Sequence, residues 1–137
     1  MPLHLEVITP ERRVFEDDVD MVVAPASEGY VGILPHHAPL FTSLGSGEMR
    51  VKKGTLEYPF AVFGGFMDVR DDRVTVLTDV AEHGEEIDER RAAEARERAQ
   101  QVLEAPPSAV EELRARAALQ RALVRLRVAE RRKRRGV

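Results

Sequence analysis

Ala81-Glu-His-Gly-Glu-Glu-Ile-Asp-Glu-Arg-Arg-Ala92 is the stretch on which the fold turns. Upstream, in Arg73-Val-Thr-Val-Leu-Thr-Asp-Val80, Val74, Val76 and Thr78 alternate with Thr75, Leu77 and Asp79, the period of a strand with two unlike faces. Downstream, Asp88 stands as an N-cap, Glu89 falls in the first turn, and Ala92, Ala95 and Ala99 recur at helical spacing. Sheet therefore precedes the junction and helix follows it, with Gly84 free to bend between them. Acidic Glu82 and Asp88 lie here together with Arg91 and Arg98, which are seven residues apart on one helix face. A reversibly bound ligand belongs here before anywhere else.

Toward the N-terminus the strand period repeats. Leu3, Leu5 and Val7 alternate with His4, Glu6 and Ile8, and a turn through Thr9-Pro10 leads to Val14-Phe15. Strands are then expected over 19–24, 30–34, 40–44, 48–52, 56–58, 61–63 and 66–70, punctuated by Pro25, Gly29, Pro35 to Pro39, Gly45 to Gly47, Lys53-Gly54 and Pro59. Asp71-Asp72 makes a tight turn. Nine or ten short strands in so few residues, with no intervening helices, predict a sandwich or barrel rather than a βαβ sheet.

Toward the C-terminus one helix is predicted from about Asp88 to Leu103, ending before Pro106-Pro107. Ser108-Ala-Val-Glu111 is a capping box for a second. That helix carries an apolar seam at Ala115, Ala118, Ala122, Leu126 and Ala129, and another at Val110, Leu113, Ala117 and Val124. The short connection predicts an antiparallel helical hairpin. Small Ala seams bury little area, so this hairpin should be marginal by itself and able to open.

Among the 137 residues the net charge of −3 hides an asymmetry. Residues 1–84 carry 7 basic and 14 acidic groups, and residues 85–137 carry 14 basic and 10 acidic. An acidic body with a basic helical tail suits an acidic protein surface, an anionic ligand or a nucleic acid. Cysteine is absent, which excludes disulfides and thiolate chemistry. No apolar run reaches the roughly 20 residues that span a bilayer. The first residues lack the basic start and apolar core of a signal peptide, so a cytoplasmic location is expected.

Gly64-Gly65 precedes a strand and not a helix, so it reads as a bend or bulge and not a phosphate loop. His36 and His37 are neighbours that point opposite ways on an extended chain, and His4 and His83 have no acidic or histidine partner at ligand spacing. No metal site is expected. No nucleophile is paired with a base, which argues against an enzyme. Arg131 to Arg135 reads as a solvated face. Arg121 and Arg125, one turn apart, are brought by antiparallel pairing toward Ala92 and Asp88, close to Arg91 and Arg98. Two readings stay open for this convergence: an anion held among the guanidinium groups, or ion pairs with Glu82, Asp88 and Glu94.

Several blocks in one order resemble the epsilon subunit of bacterial F-type ATP synthase. They are Glu28-Gly-Tyr-Val-Gly-Ile-Leu-Pro-His-His-Ala-Pro-Leu40, Ala61-Val-Phe-Gly-Gly-Phe-Met-Asp-Val-Arg-Asp-Asp-Arg-Val-Thr-Val-Leu77, Ile87-Asp-Glu-Arg-Arg-Ala92 and Arg121-Ala-Leu-Val-Arg-Leu-Arg-Val-Ala-Glu130. The resemblance implies a ten-stranded β-sandwich over 1–84 followed by a two-helix hairpin over 85–137. It implies a non-catalytic rotor subunit of the central stalk, holding the gamma subunit and resting on the c ring, with Glu28, Tyr30 and His37 as rotor contacts. The hairpin would switch between a folded form and an extended form that enters the alpha/beta hexamer, meets an acidic stretch of beta and blocks ATP hydrolysis. The complex would sit at the cytoplasmic face of the bacterial cell membrane, with this subunit peripheral.

In family members that bind ATP on the folded hairpin, the motif is Ile-Asp-x-x-Arg-Ala. By resemblance it falls on Ile87, Asp88, Arg91 and Ala92, with Arg98, Arg121 and Arg125 toward the phosphates and Glu82 as a further contact. ATP would be a regulatory ligand, not a cofactor, and no nucleic acid would be a partner. Two positions depart from the family pattern: His36, where glycine is usual, and the Pro106-Pro107 loop. The alternative class is a β-sandwich module whose basic helical arm binds RNA or another polyanion.

Overall fold

The computed structural model describes residues 2–105 and 108–135, the last three as backbone only. The Pro106-Pro107 loop lies outside the described residues. Ten strands form two five-stranded sheets. They are β1 (Leu3–Ile8), β2 (Arg13–Val19), β3 (Met21–Ala26), β4 (Gly29–Ile33), β5 (Leu40–Ser43), β6 (Ser46–Lys53), β7 (Leu56–Phe63), β8 (Phe66–Arg70), β9 (Arg73–Leu77) and β10 (Ala81–His83). One sheet has the order β2-β1-β9-β8-β5, with β1 parallel to β9; the other is β10-β7-β6-β3-β4, antiparallel throughout. A 3-10 turn, Gly84–Glu86, then leads to α1 (Glu89–Glu104) and α2 (Ala109–Arg135). This is the predicted β-sandwich followed by two helices.

The alternation read from the sequence becomes the inner faces of the sandwich. Leu3, Leu5, Val7, Met67, Val69, Val74 and Val76 from one sheet meet Val22, Ile33, Met49, Val51, Phe60 and Val62 from the other in one buried cluster. Phe15 packs edge-on against Phe60, with ring centroids 5.4 Å apart, and closes one side of this core.

Three local expectations change. Residues 56–63 form one strand and not two, and Pro59 lies inside it opposite Arg50. β10 stops opposite Phe60, so β7 has no ladder partner on that side at Pro59 and its missing N–H costs no sheet hydrogen bond. The strand expected to run to Val80 ends at Leu77. Gly65, at φ +110, packs so closely on the Leu77 carbonyl that a Cβ would lie 2.1 Å from its oxygen. Thr78, buried, donates its hydroxyl to the Gly64 carbonyl at 2.7 Å, and the chain crosses to the other sheet. The bend predicted for the glycine pair is thus the place where the sandwich is stitched.

The third change concerns α2. Val110, Leu113 and Ala117 are exposed, so the second predicted seam does not exist as a seam. Ala115 and Ala122 are buried, as are Ala92 and Ala99 of α1, the helix against which α2 lies. Val124, Val128 and Ala129 turn instead onto the outer face of the second sheet, where they bury Ala61, Phe63 and Ile87. The seam was drawn for a helix with one partner, whereas α2 has α1 along one stripe and a sheet along another. β7, with Phe60 and Val62 in the sandwich core and Ala61 and Phe63 under α2, is covered on both faces and so reads as an unbroken buried run from Pro59 to Phe63.

Candidate functional site

The junction stretch builds the site by local rules. Asp88 caps α1, its Oδ1 accepting the Arg91 N–H at 3.1 Å, and the buried Ile87 donates its N–H to the Gly84 carbonyl at 3.3 Å. One turn on, Ala92 is buried and lets α2 approach. At the second helix the Ser108 hydroxyl accepts the Glu111 N–H at 3.1 Å, as the capping box predicts. The Glu111 carboxylate pairs with Arg114 at 3.3 Å rather than reaching back.

A cavity of about 290 Å³ opens between α1, α2 and the sandwich. Its walls include Glu82, Ile87, Asp88, Arg91, Ala92, Arg98 and Arg125, which are seven of the eight residues proposed for the ligand. Arg121 is the exception: it lies one turn farther along α2, about 6 Å away, and is exposed. Glu86 and Ala95 line the cavity as well. Ala95 was visible in the Ala92-Ala95-Ala99 repeat. Nothing in the local pattern singles out Glu86, which the 3-10 turn places in the cavity wall.

Arg125 is the most committed arginine. Its Nε donates to Glu82 Oε1 at 2.6 Å, and its guanidinium carbon lies 4.9 Å from the centroid of the Phe63 ring. Part of the ion-pair reading is therefore realised. Arg90, and not one of the four converging arginines, takes Glu94, at 3.3 Å. Arg91 and Arg98 are exposed at the cavity wall. Three guanidinium groups thus face the carboxylates of Glu82, Glu86 and Asp88 across one small space, an arrangement that can take up an anion if an arginine exchanges partners.

Arg131 and Arg132 are not a solvated face. Arg131 Nε donates to Oε2 of the buried Glu48 at 2.6 Å, and its Nη1 lies 3.7 Å from Glu57. The hydrogen bond to Glu48 raises the Arg131 pKa above its ordinary value. Arg132 Nη1 donates to the carbonyls of Gly84 and Ile87 at 2.7 and 3.2 Å. Sequence reasoning missed these contacts because Glu48 and Arg131 are 83 residues apart.

The three residues expected at the rotor lie at opposite ends of β4. Glu28 precedes the strand and Tyr30 is its second residue, 57% exposed, with its hydroxyl accepting the Glu48 N–H at 3.3 Å. His37 lies beyond the other end, its ring nitrogen 2.6 Å from the Ala38 carbonyl. The preceding His36 adopts φ +68, the left-handed conformation that explains the usual glycine, and donates its N–H to Asp72 Oδ1 at 2.6 Å.

His4 does have acidic partners, contrary to the spacing argument. Antiparallel pairing of β1 with β2 sets Asp18 and Glu16 beside it, with ring nitrogens 2.9 Å from each carboxylate. Glu6 is 4.0 Å away, and Arg13 pairs with both Glu6 and Glu16.

Comparison with known proteins fits this architecture. Residues 2–84 match the family model "ATP synthase, Delta/Epsilon chain, beta-sandwich domain", and residues 85–130 match the "long alpha-helix domain" of the same chain. An ATP synthase epsilon chain of Dehalococcoides mccartyi is 52% identical over 96% of this chain and 94% of its own length. That of Herpetosiphon aurantiacus is 50% identical over 98% and 99%. Among solved structures, a chain of the Euglena gracilis mitochondrial ATP synthase superposes with a TM-score of 0.78 at 24% identity, covering 87% of this chain and 76% of that one, a likeness of fold alone. Sandwich, helices and relatives agree: the chain belongs to the ATP synthase delta/epsilon family, as an epsilon-type subunit and not a catalytic one.

Proposed function

We propose that the chain is a rotor subunit of the central stalk that couples gamma to the c ring, and that its hairpin restrains ATP hydrolysis by leaving the sandwich for the alpha/beta hexamer. ATP, sensed and not hydrolysed, is held on the folded hairpin and favours that form by its differential affinity for it. The observation that carries this reading is the cavity at the hairpin base, where Arg91, Arg98 and Arg125 converge beside Ile87, Asp88 and Ala92.

The outer face of the first sheet suits a protein partner. Phe41 (66% exposed) and Phe66 (49%) stack with centroids 5.6 Å apart and planes 14° from parallel, and Leu77, also 49% exposed, flanks Phe66 in strand pairing. Such a patch of aromatics on a small acidic domain marks an interface, assigned here to gamma. Glu28, Tyr30 and His37 would face the c ring. A chain of a Tetrahymena thermophila central stalk/c-ring structure shares the fold, with a TM-score of 0.62 at 13% identity over 94% of this chain and 97% of that one. Among the described residues no helix is long and apolar enough to cross a membrane, so association with the cytoplasmic face of the bacterial membrane would run through the complex. The turning inward of Arg125, Arg131 and Arg132 weighs against a polyanion-binding arm.

Calorimetric titration of the full chain with ATP, beside Arg91→Ala and Arg98→Ala, tests the ligand. Saturable binding by the parent, weakened at least roughly tenfold in each variant by loss of a charge-assisted contact, is expected. A parent that takes up no heat-detectable ATP leaves the arginines as ion-pair partners and removes the nucleotide from the scheme.

A further inference from the structure

The register of the second sheet sets Glu82, Ala61 and Glu48 in one row, since Glu82 of β10 and Glu48 of β6 both pair with Ala61 of the strand between them. Neighbouring strands are about 4.8 Å apart, so the two carboxylate-bearing positions stand about 9.6 Å apart across the sheet. On α2, Arg125 and Arg131 are six residues apart, an axial rise of about 9 Å. Val128 lies midway and is fully buried in the cluster with Ala61. Three residues on a helix turn about 300°, so the two arginines flank Val128 at about 60° on either side. Each meets the glutamate at its end of the row, Arg125 with Glu82 at 2.6 Å and Arg131 with Glu48 at 2.6 Å.

We infer that this matched spacing is a two-point clamp that seats α2 on the sandwich, and that Glu48–Arg131 is its ligand-independent jaw. The two jaws differ in what else they touch. Glu82 and Arg125 line the cavity at the hairpin base, so an anion there competes with their mutual pair. Glu48 and Arg131 lie outside the cavity lining. Glu48 is buried, its N–H is held by the Tyr30 hydroxyl, and Arg131 adds Glu57 at 3.7 Å. Arg132, gripping the carbonyls of Gly84 and Ile87, fixes the same end of α2 to the junction. Occupation of the cavity therefore rearranges one jaw while the other keeps the helix in place, and full release of α2 requires Glu48 and Arg131 to part.

This inference rests on the hairpin being an opening element, but its test needs no nucleotide, so a failed ATP titration leaves it standing. Amide hydrogen exchange of the full chain without ATP is compared for the parent, Glu48→Gln, Arg131→Gln, the double variant, and the control Arg127→Gln at an exposed position. In each single variant the amides of 120–132 should exchange roughly tenfold faster or more, with β1 and β9 unchanged, because a charge-assisted bond to a buried group is lost. The double variant should be no worse than the worse single, and the control should match the parent. Should Glu48→Gln also loosen the sandwich, Arg131→Gln decides, since that residue lies on the helix. Parental exchange over 120–132 in Arg131→Gln, or effects that simply add in the double variant, would overturn the clamp.

Discussion

His4 shows how one residue acquires chemistry from pairing. Its two ring nitrogens each lie 2.9 Å from a carboxylate oxygen, an arrangement suited to the doubly protonated ring. The hydrogen bonds to Asp18 and then Glu16 raise its pKa above 6.5. Glu6 and Arg13 face the same cluster, and Arg73 of β9 is its partner in register. A group whose pKa rises on folding contributes stability that is complete below its unfolded pKa and is lost as pH climbs through the folded one. Thermal melts of the parent and His4→Gln between pH 5.5 and 9 should differ most at the acid end and converge at the alkaline end. A gap that is constant with pH would show that the imidazolium contributes nothing.

At the scale of the element, α2 is one helix with two jobs. Its first part lies against α1 with Ala115 and Ala122 buried, while its later part carries Val124, Val128 and Ala129 onto Ala61 and Phe63. Alanine contacts bury little, so the sheet contact dominates the seating of the hairpin. Val128→Ala, which removes two buried methyl groups and leaves a cavity against Ala61, should cost about 1–3 kcal/mol. The loss should appear in hydrogen exchange of α2, with the sandwich amides at their parental rates. A uniform loss across both parts would mean that helix and sandwich unfold as one unit.

For the molecule as a whole, the acidic body and basic tail resolve into specific pairs across one interface. Glu82 meets Arg125, and Glu48 and Glu57 meet Arg131, while within the tail itself Glu89 of α1 lies 3.8 Å from Arg132. Partly buried pairs are screened less than exposed ones, yet part of the long-range attraction between body and tail is open to salt. Raising sodium chloride from about 0.05 to 1 M, which shortens the screening length to about 3 Å, should speed exchange in α2 several-fold relative to β1 and β9. Equal rates at both concentrations would assign the docking to the apolar cluster alone. A hairpin held by a small apolar contact and a few ion pairs is suited to a two-state element, because each is weak enough to be exchanged for contacts elsewhere.

The sequence by itself determined what short-range physics controls. Alternation with a period of two laid out the strands, the 3.6-residue repeat and the Asp88 and Ser108 caps laid out the helices, and the junction at 81–92 with the pairing of the two helices pointed to Glu82, Asp88, Arg91, Arg98 and Arg125 of the cavity wall, whereas Ile87 and Ala92 came from the family resemblance. It also made Gly64-Gly65 a bend, because only glycine reaches those positive φ values without strain. Pairing decided the rest. Which strand lies beside which placed Asp18 and Glu16 around His4 and set Glu82, Ala61 and Glu48 in one row. The rotation of α2 about its axis turned Val128 and Arg131 to the sheet and left Val110, Leu113 and Arg121 in solvent. Strand register and helix rotation are set by packing between segments far apart in the chain, and no local pattern encodes a distance of 83 residues.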